Sequence, residues 1–168
     1  LDFIETVQKT ANLIYGWRFQ KFVQISTVSA RCELGTVYGR HKAAAEKLCA
    51  TPSALIIRLS ALFSDDLPRG VLIDILNGSK VYAQEGSRFP FASLEFAVGW
   101  IAQNLYREGI VEVGAKNTVT LLEIARHLGK SVEFEGAEQN QTLENPSPDF
   151  PDAREVFQFL DKRQKAIP

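Results

Sequence analysis

Three neighbouring stretches constrain this chain more than any other feature: a strand, a helix and a second strand in close succession. Phe22-Val23-Gln24-Ile25-Ser26 is a short β-rich run, and Ala54 to Leu59 (ALIIRL) is apolar enough to be covered on both faces. Between them, Val37 to Leu48 carries Ala43, Ala44, Ala45 and Leu48 among good helix formers, and Thr51-Pro52-Ser53 breaks the run. This order predicts a βαβ unit that crosses over right-handed into a parallel sheet. A parallel sheet needs both faces covered and several strands, so this unit requires neighbours.

The rest of the chain supplies some of them. Ile4, Val7, Ala11 and Ile14 recur at helical spacing, so a helix is expected over residues 3–15, ended by Gly16. Residues 27–36 read as a loop. Phe89 to Ala92 is strand-like, Ser93 can cap a helix running to about Arg107, and Ile110 to Val113 is a further strand. Thr120-Leu121-Leu122-Glu123 is a capping box opening a helix that Gly129 terminates. Ser131 to Glu135 alternates like an edge strand, residues 136–151 form a polar loop, and Asp152 to Glu155 reads as a second capping box before a last helix. Residues 133–155 hold seven acidic side chains and one basic one, a solvated acidic rim.

Composition excludes several classes. With 168 residues, 45% apolar content and 19 basic against 20 acidic side chains, the chain has the size and balance of one globular domain without a basic surplus for nucleic acid. No stretch of about 20 residues is apolar enough to span a membrane, and no secretory leader is visible. Cys32 and Cys49 are too few for a disulfide scaffold, which makes a reducing cytoplasm the expected compartment. Methionine is absent even at position 1. Only two convincing buried strands are present for a parallel sheet, so an earlier β/α segment is expected before residue 1 in the natural protein, and the absent methionine agrees with it.

Tyr38 and Lys42 stand four apart on the predicted helix and share a face. An ammonium close to a phenol stabilises the phenolate and lowers its pKa from about 10 toward neutrality, and such a tyrosine exchanges protons with an alcohol or carbonyl. Taken alone, the spacing also fits a surface tyrosine over a solvated lysine. Ser26 and Thr27 stand at the carboxyl end of the first strand, the end of a parallel sheet where open α/β proteins bind ligands.

These residues, with their surroundings, resemble a known family. Phe22-Val-Gln-Ile-Ser-Thr27, Tyr38-Gly-Arg-His-Lys42-Ala-Ala-Ala-Glu46 and Ile56-Ile-Arg-Leu-Ser60-Ala-Leu-Phe63 resemble the extended short-chain dehydrogenase/reductases, the NAD(P)-dependent epimerase/dehydratase group. Thr10 to Ile14, Arg88 to Ala97, and Ile110 to Gly114 with Thr120 to Ala125 are similar to further segments, in family order.

The resemblance implies a Rossmann-like, doubly wound parallel sheet with a small C-terminal substrate-side portion. Residues 1–64 would be the second half of the dinucleotide-binding domain, and 65–168 a mixed substrate-side portion with returning Rossmann elements. It implies NAD or NADP as cofactor and a small-molecule substrate, by default a nucleotide sugar, and it is compatible with a homodimer. Tyr38 would be the general acid/base, Lys42 would hold the nicotinamide ribose, Thr27 would orient the substrate oxygen, and Arg88 would contact a diphosphate.

There are departures. Only 11 positions separate Thr27 from Tyr38, where the family has roughly two dozen residues. Arg31-Cys32 replaces an aromatic-glycine pair, and Ala61 stands where an Asn usually helps hold the sugar. No G-x-x-G-x-x-G phosphate loop occurs in these residues. The resemblance thus leaves two classes open: a catalyst, and a non-catalytic nucleotide-bound scaffold or subunit of the same fold. His41, His127 and Cys32 read as surface or packing residues, and two separate histidines with two distant cysteines do not make a metal site.

Overall fold

A computed structural model describes residues 2–51, 53–66 and 69–166; Pro52, within the expected helix break, lies outside the described residues. The chain divides into two compact units, residues 1–59 with 99–113 and residues 60–98 with 114–168.

In the first unit the expected βαβ crossover is present. Strand β1 (Phe22–Thr27) pairs in parallel with β2 (Ala54–Leu59), Phe22 opposite Ala54 and Thr27 opposite Leu59. β2 pairs in parallel with a third strand, Gly109–Val113. The sheet works because β2 is the middle strand: Leu55 and Ile57 are fully buried, each contributing about 1.5–3 kcal/mol by leaving water. The N-terminal helix starts as a π-helical turn over Ile4–Gln8 and continues as α1 (Lys9–Gly16). Its expected stripe is only partly covered. Val7, Ala11 and Ile14 are half-buried, Thr10 joins them as a buried residue, and Ile4 is exposed.

Residues 27–36 are not simply a loop. They hold a one-turn helix, α2 (Ser29–Cys32), directly before α3 (Val37–Cys49). A single turn carries no period that a sequence pattern can reveal. The Thr36 side chain caps α3 by accepting from Gly39 N at 2.9 Å.

The second unit has its own core, with Phe63, Ile75, Phe91, Leu121, Ile124, Val156 and Leu160 at its centre. Here β3 (Leu62–Phe63) is followed by α4 (Val71–Leu76), an element the sequence pattern did not announce. The expected strand at 89–92 is split by Pro90, which has no N–H to give a ladder. β4 (Arg88–Phe89) pairs antiparallel with Val119–Thr120, and β5 (Ala92–Ser93) pairs in parallel with β3. Ser93 caps α5 (Leu94–Asn104) by accepting from Phe96 N at 3.1 Å. The strands Gly109–Val113 and Val119–Thr120 are β6 and β7.

The Thr120–Glu123 capping box opens α6 (Leu121–His127), and Gly129 follows with φ +62°, a left-handed turn suited to glycine. The expected edge strand at 131–135 is reduced to a single bridge between Phe134 and Val81. Asp152 makes a turn rather than a capping box: its Oδ1 accepts from Arg154 N and its carbonyl from Glu155 N, ahead of α7 (Glu155–Ala166).

Candidate functional site

The first unit brings Thr27, Tyr38 and Lys42 together. Thr27 is the last residue of β1, and its Oγ1 accepts from Ser29 N at 3.3 Å, a turn that starts α2. Tyr38 lies in the first turn of α3 and is 45% exposed. The Thr27 side chain stands near enough to the Tyr38 phenol to act on its pKa, while its hydroxyl donates to Ser29 Oγ at 3.4 Å. Lys42, one turn on, places its Nζ 5.8 Å from the Tyr38 ring centroid, a cation facing an aromatic ring.

The expected tuning of the phenol is not what this geometry produces. Burial pushes the Tyr38 pKa above its ordinary value, and the charges of Asp2 and Glu33 push the same way. The Thr27 hydroxyl opposes them, as a donor to the phenolate does. Lys42 is not among the groups that move it. In this chain Tyr38 is therefore protonated at neutral pH.

Close packing holds the segment that carries it. A Cβ on Gly39 would collide with the Glu33 carbonyl and stand 2.8 Å from Ser29 O, so α3 passes α2 at a distance only glycine allows. His41 pairs through Nδ1 with Asp2 Oδ2 at 2.7 Å, a surface contact. Cys32 is half-buried, and burial holds its thiol above the ordinary range, away from nucleophilic use. Among the described residues no cluster of His, Cys, Asp or Glu could hold a metal ion, and no helix is long and apolar enough to cross a membrane.

Arg88 belongs to the second unit. Its backbone is fixed on both sides: its N–H donates to Gln139 O at 2.8 Å and its carbonyl accepts from Gln141 N at 3.0 Å. Ser87 beneath it is fully buried, with Oγ accepting from Gln139 N at 3.0 Å. The Arg88 side chain is exposed, and its charge helps hold Glu123 below the ordinary glutamate range. Ala61 is half-buried against the core of the same unit.

Sequence reasoning missed a set of charges beside Thr27. Glu46 of α3 accepts from Ser26 Oγ at 2.6 Å and from Arg58 Nη2 at 2.7 Å. Arg31 of α2 grips Glu112 of β6 with two hydrogen bonds, 2.7 and 3.1 Å. The available signal was the presence of Arg58 and Glu112 inside otherwise apolar strands of a sheet.

No family model matches the sequence, and no curated protein matches it. Solved structures do. A UDP-galactose 4-epimerase superposes with a TM-score of 0.70 at 20% identity, covering 99% of this chain and 72% of its own. A dTDP-glucose 4,6-dehydratase from Bacillus anthracis in complex with NAD gives 0.70 at 16% identity, over 98% of this chain and 70% of its own. The UDP-glucose 4-epimerase of Thermus thermophilus in complex with NAD gives 0.70 at 20%, over 99% and 72%. The chain has the α/β fold of these epimerase and dehydratase structures, as the resemblance of its six sequence segments implies.

Proposed function

We propose that this chain is part of an NAD(P)-dependent epimerase, dehydratase or reductase acting on a hydroxyl or keto group, of a nucleotide sugar by default. The observation that carries the proposal is the placement of Tyr38, in the first turn of α3, beside Thr27 at the carboxyl end of a parallel strand, with Lys42 one helical turn on and its Nζ 5.8 Å from the Tyr38 ring centroid. Support comes from the fold shared with structures described as epimerases and dehydratases, two of them holding NAD.

A half-exposed phenol and an ammonium on one helix face fit the ribose end of such a cofactor. Lys42 would hold the ribose hydroxyls, and the bound nicotinamide supplies or accepts a hydride. Tyr38 gives its phenolic proton to the substrate oxygen, or takes it back in the reverse direction, and Thr27 keeps that oxygen within reach by a second hydrogen bond. Once the substrate oxygen carries that proton, the single hydroxyl proton of Thr27 turns to the phenolate left behind. Arg88 would meet the diphosphate, its planar fork matched to phosphate oxygens. The two free thiols suit a reducing compartment, the cytoplasm.

A second reading, a nucleotide-bound scaffold without turnover, is favoured by one observation: α2 and its close contact with Gly39 occupy the stretch where the family has a longer segment. Turnover of UDP-galactose and UDP-glucose by the natural full-length protein, with its Tyr38→Phe variant beside it, decides. Loss of about 10²–10⁴ in rate with nucleotide affinity retained supports the enzyme. Equal rates in parent and variant remove Tyr38 from the chemistry, and binding of nucleotide without turnover gives the scaffold the lead.

A further inference from the structure

Five side chains of the first unit form a continuous polar chain next to the candidate site, and the proton transfer described above uses none of them. Ser26, Arg58 and Glu112 stand abreast on three neighbouring strands, Ser26 opposite Arg58 and Arg58 opposite Glu112, so their side chains share one face of the sheet. Glu46 reaches that face from α3. Its Oε1 accepts from Ser26 Oγ at 2.6 Å and from Arg58 Nε at 3.0 Å, and its Oε2 from Arg58 Nη2 at 2.7 Å. Arg31 of α2 forks onto Glu112, Nε to Oε1 at 2.7 Å and Nη2 to Oε2 at 3.1 Å, while Arg58 Nη1 lies 3.5 Å from the same Oε1. The Glu46 and Glu112 side chains are each 5% exposed.

Burying four charges is a poor route to stability, because well-packed apolar residues of similar volume commonly do as well or better. What a satisfied ionic network does supply is a single geometry. Glu46 is the third member of a stripe with Tyr38 and Lys42 at four-residue steps along α3, so pinning it fixes how far along the sheet the helix lies and how it is turned. Its partner Ser26 is the neighbour of Thr27. The other end of the network pins α2 through Arg31, and the Ser29 and Glu33 carbonyls of that segment abut Gly39, next to Tyr38. Both flanks of Tyr38 are thus referenced to the strand that ends in Thr27.

We infer that Arg31, Glu46, Arg58 and Glu112 are positioning residues that hold the Tyr38 phenol against Thr27 by locking α2 and α3 in register on the sheet. For its catalytic consequence this rests on the proposed enzyme reading; the geometry can be tested without it. The variants are the paired apolar replacement Arg31→Met with Glu112→Leu, and Glu46→Asp, which keeps the charge but withdraws it by one methylene. They are made in the natural full-length protein labelled with [13Cζ]tyrosine, with Tyr38→Phe identifying the Tyr38 resonance.

The expected result is a folded protein whose Tyr38 signal broadens or splits and whose titration midpoint falls as the ring loses its fixed, half-buried place. Turnover of UDP-galactose should drop in kcat by about 10²-fold, as an ångström-scale misplacement of a reacting group does, with KM held. A Tyr38 resonance, midpoint and kcat equal to the parent's, with only the melting temperature lowered, would make the cluster a structural element and overturn the inference. If the paired replacement fails to fold, Glu46→Asp carries the same readings. A parent that turns over no substrate sinks the enzyme reading alone, because the resonance still reports whether the cluster positions Tyr38.

Discussion

Gly39 and Glu33 meet so closely that residue 39 has no room for a side chain. An added Cβ would stand 2.7 Å from the Glu33 carbonyl carbon and closer still to its oxygen, and both belong to backbone that cannot swing aside. Gly39→Ala is therefore expected to force α2 and α3 apart. The expected loss is about 1–3 kcal/mol, the range for overpacking a well-filled interior. Urea unfolding measures it. Unchanged stability would mean that the contact relaxes at no cost and that α2 is not a fixed wall of the site.

The same contact places Tyr38, the next residue, in an environment that favours its neutral form. Burial comes first among the causes, reinforced by the charges of Asp2 and Glu33 and opposed by the Thr27 hydroxyl. Titration of the four tyrosines by ultraviolet difference spectroscopy or NMR, with Tyr38→Phe as the assignment, should put the Tyr38 midpoint above the ordinary phenol value of about 10. Thr27→Val removes the donor to the phenolate and should move that midpoint further up. A Tyr38 midpoint near 7 would instead show that Lys42 tunes the phenol as the bare spacing suggests. Because the folded pKa is raised, whatever stability the neutral phenol contributes is present below the unfolded value and is lost as pH rises through the folded one.

How much of this was legible before the fold was known follows the physics of each element. The strands at 22–27 and 54–59 and the helix between them are long enough to carry a pattern, and the structure places them where the sequence does. Thr120 and Glu123 announced a helix start by local hydrogen-bond chemistry alone. Val71–Leu76 carried no such signal, because six residues, five of them apolar, serve a strand as well as a helix until Leu72, Ile75 and Leu76 are seen on one buried face. Ser131–Glu135 alternated like a strand but found only one bridging partner. For the site, the four-residue step from Tyr38 to Lys42 gave the shared face but not the height of the ammonium over the ring. The pairing of Arg31 with Glu112, 81 positions apart, is tertiary and left no local trace.

The capping box of α6 gives a prediction with a sign in pH. Thr120 N donates to Glu123 Oε2 at 2.7 Å and Glu123 N donates to Thr120 Oγ1 at 3.1 Å, so each residue satisfies a donor that the helix start would leave bare. These bonds from Thr120 hold the Glu123 carboxyl below its ordinary value. Its contribution is therefore present above the usual glutamate range and is lost as pH falls through the lower folded value. Thr120→Ala is expected to cost about 0.5–2 kcal/mol at neutral pH. The gap between parent and variant should shrink as pH falls from the ordinary glutamate value of about 4.3 through the lower folded one. Denaturant unfolding at pH 7 and at pH 3 checks both statements, and a gap that is constant with pH would show that Glu123 takes no part in the cap.

Arg88 offers the last test, because its backbone is rigid and its side chain is exposed. The flanking bonds to Gln139 and Gln141 and the buried Ser87 fix the base, so the guanidinium is presented from a fixed point rather than from a mobile loop. A fixed base suits a two-bond contact with a diphosphate, which a planar fork makes and a lysine ammonium cannot copy. Arg88→Lys keeps the charge and removes the fork. Calorimetry of the full-length parent and variant with UDP, dTDP, UDP-galactose and UDP-glucose should therefore show weaker binding in the variant by about tenfold, the loss of one charge-assisted hydrogen bond at about 1.4 kcal/mol. Because Arg88 also lends its charge to Glu123, the variant's melting temperature is measured alongside, and it should stay at the parent value since the lysine preserves that charge. Equal affinities would leave Arg88 as a solvated partner of the α6 cap and withdraw the diphosphate from the proposed substrate, making a smaller alcohol or carbonyl the compound to try next.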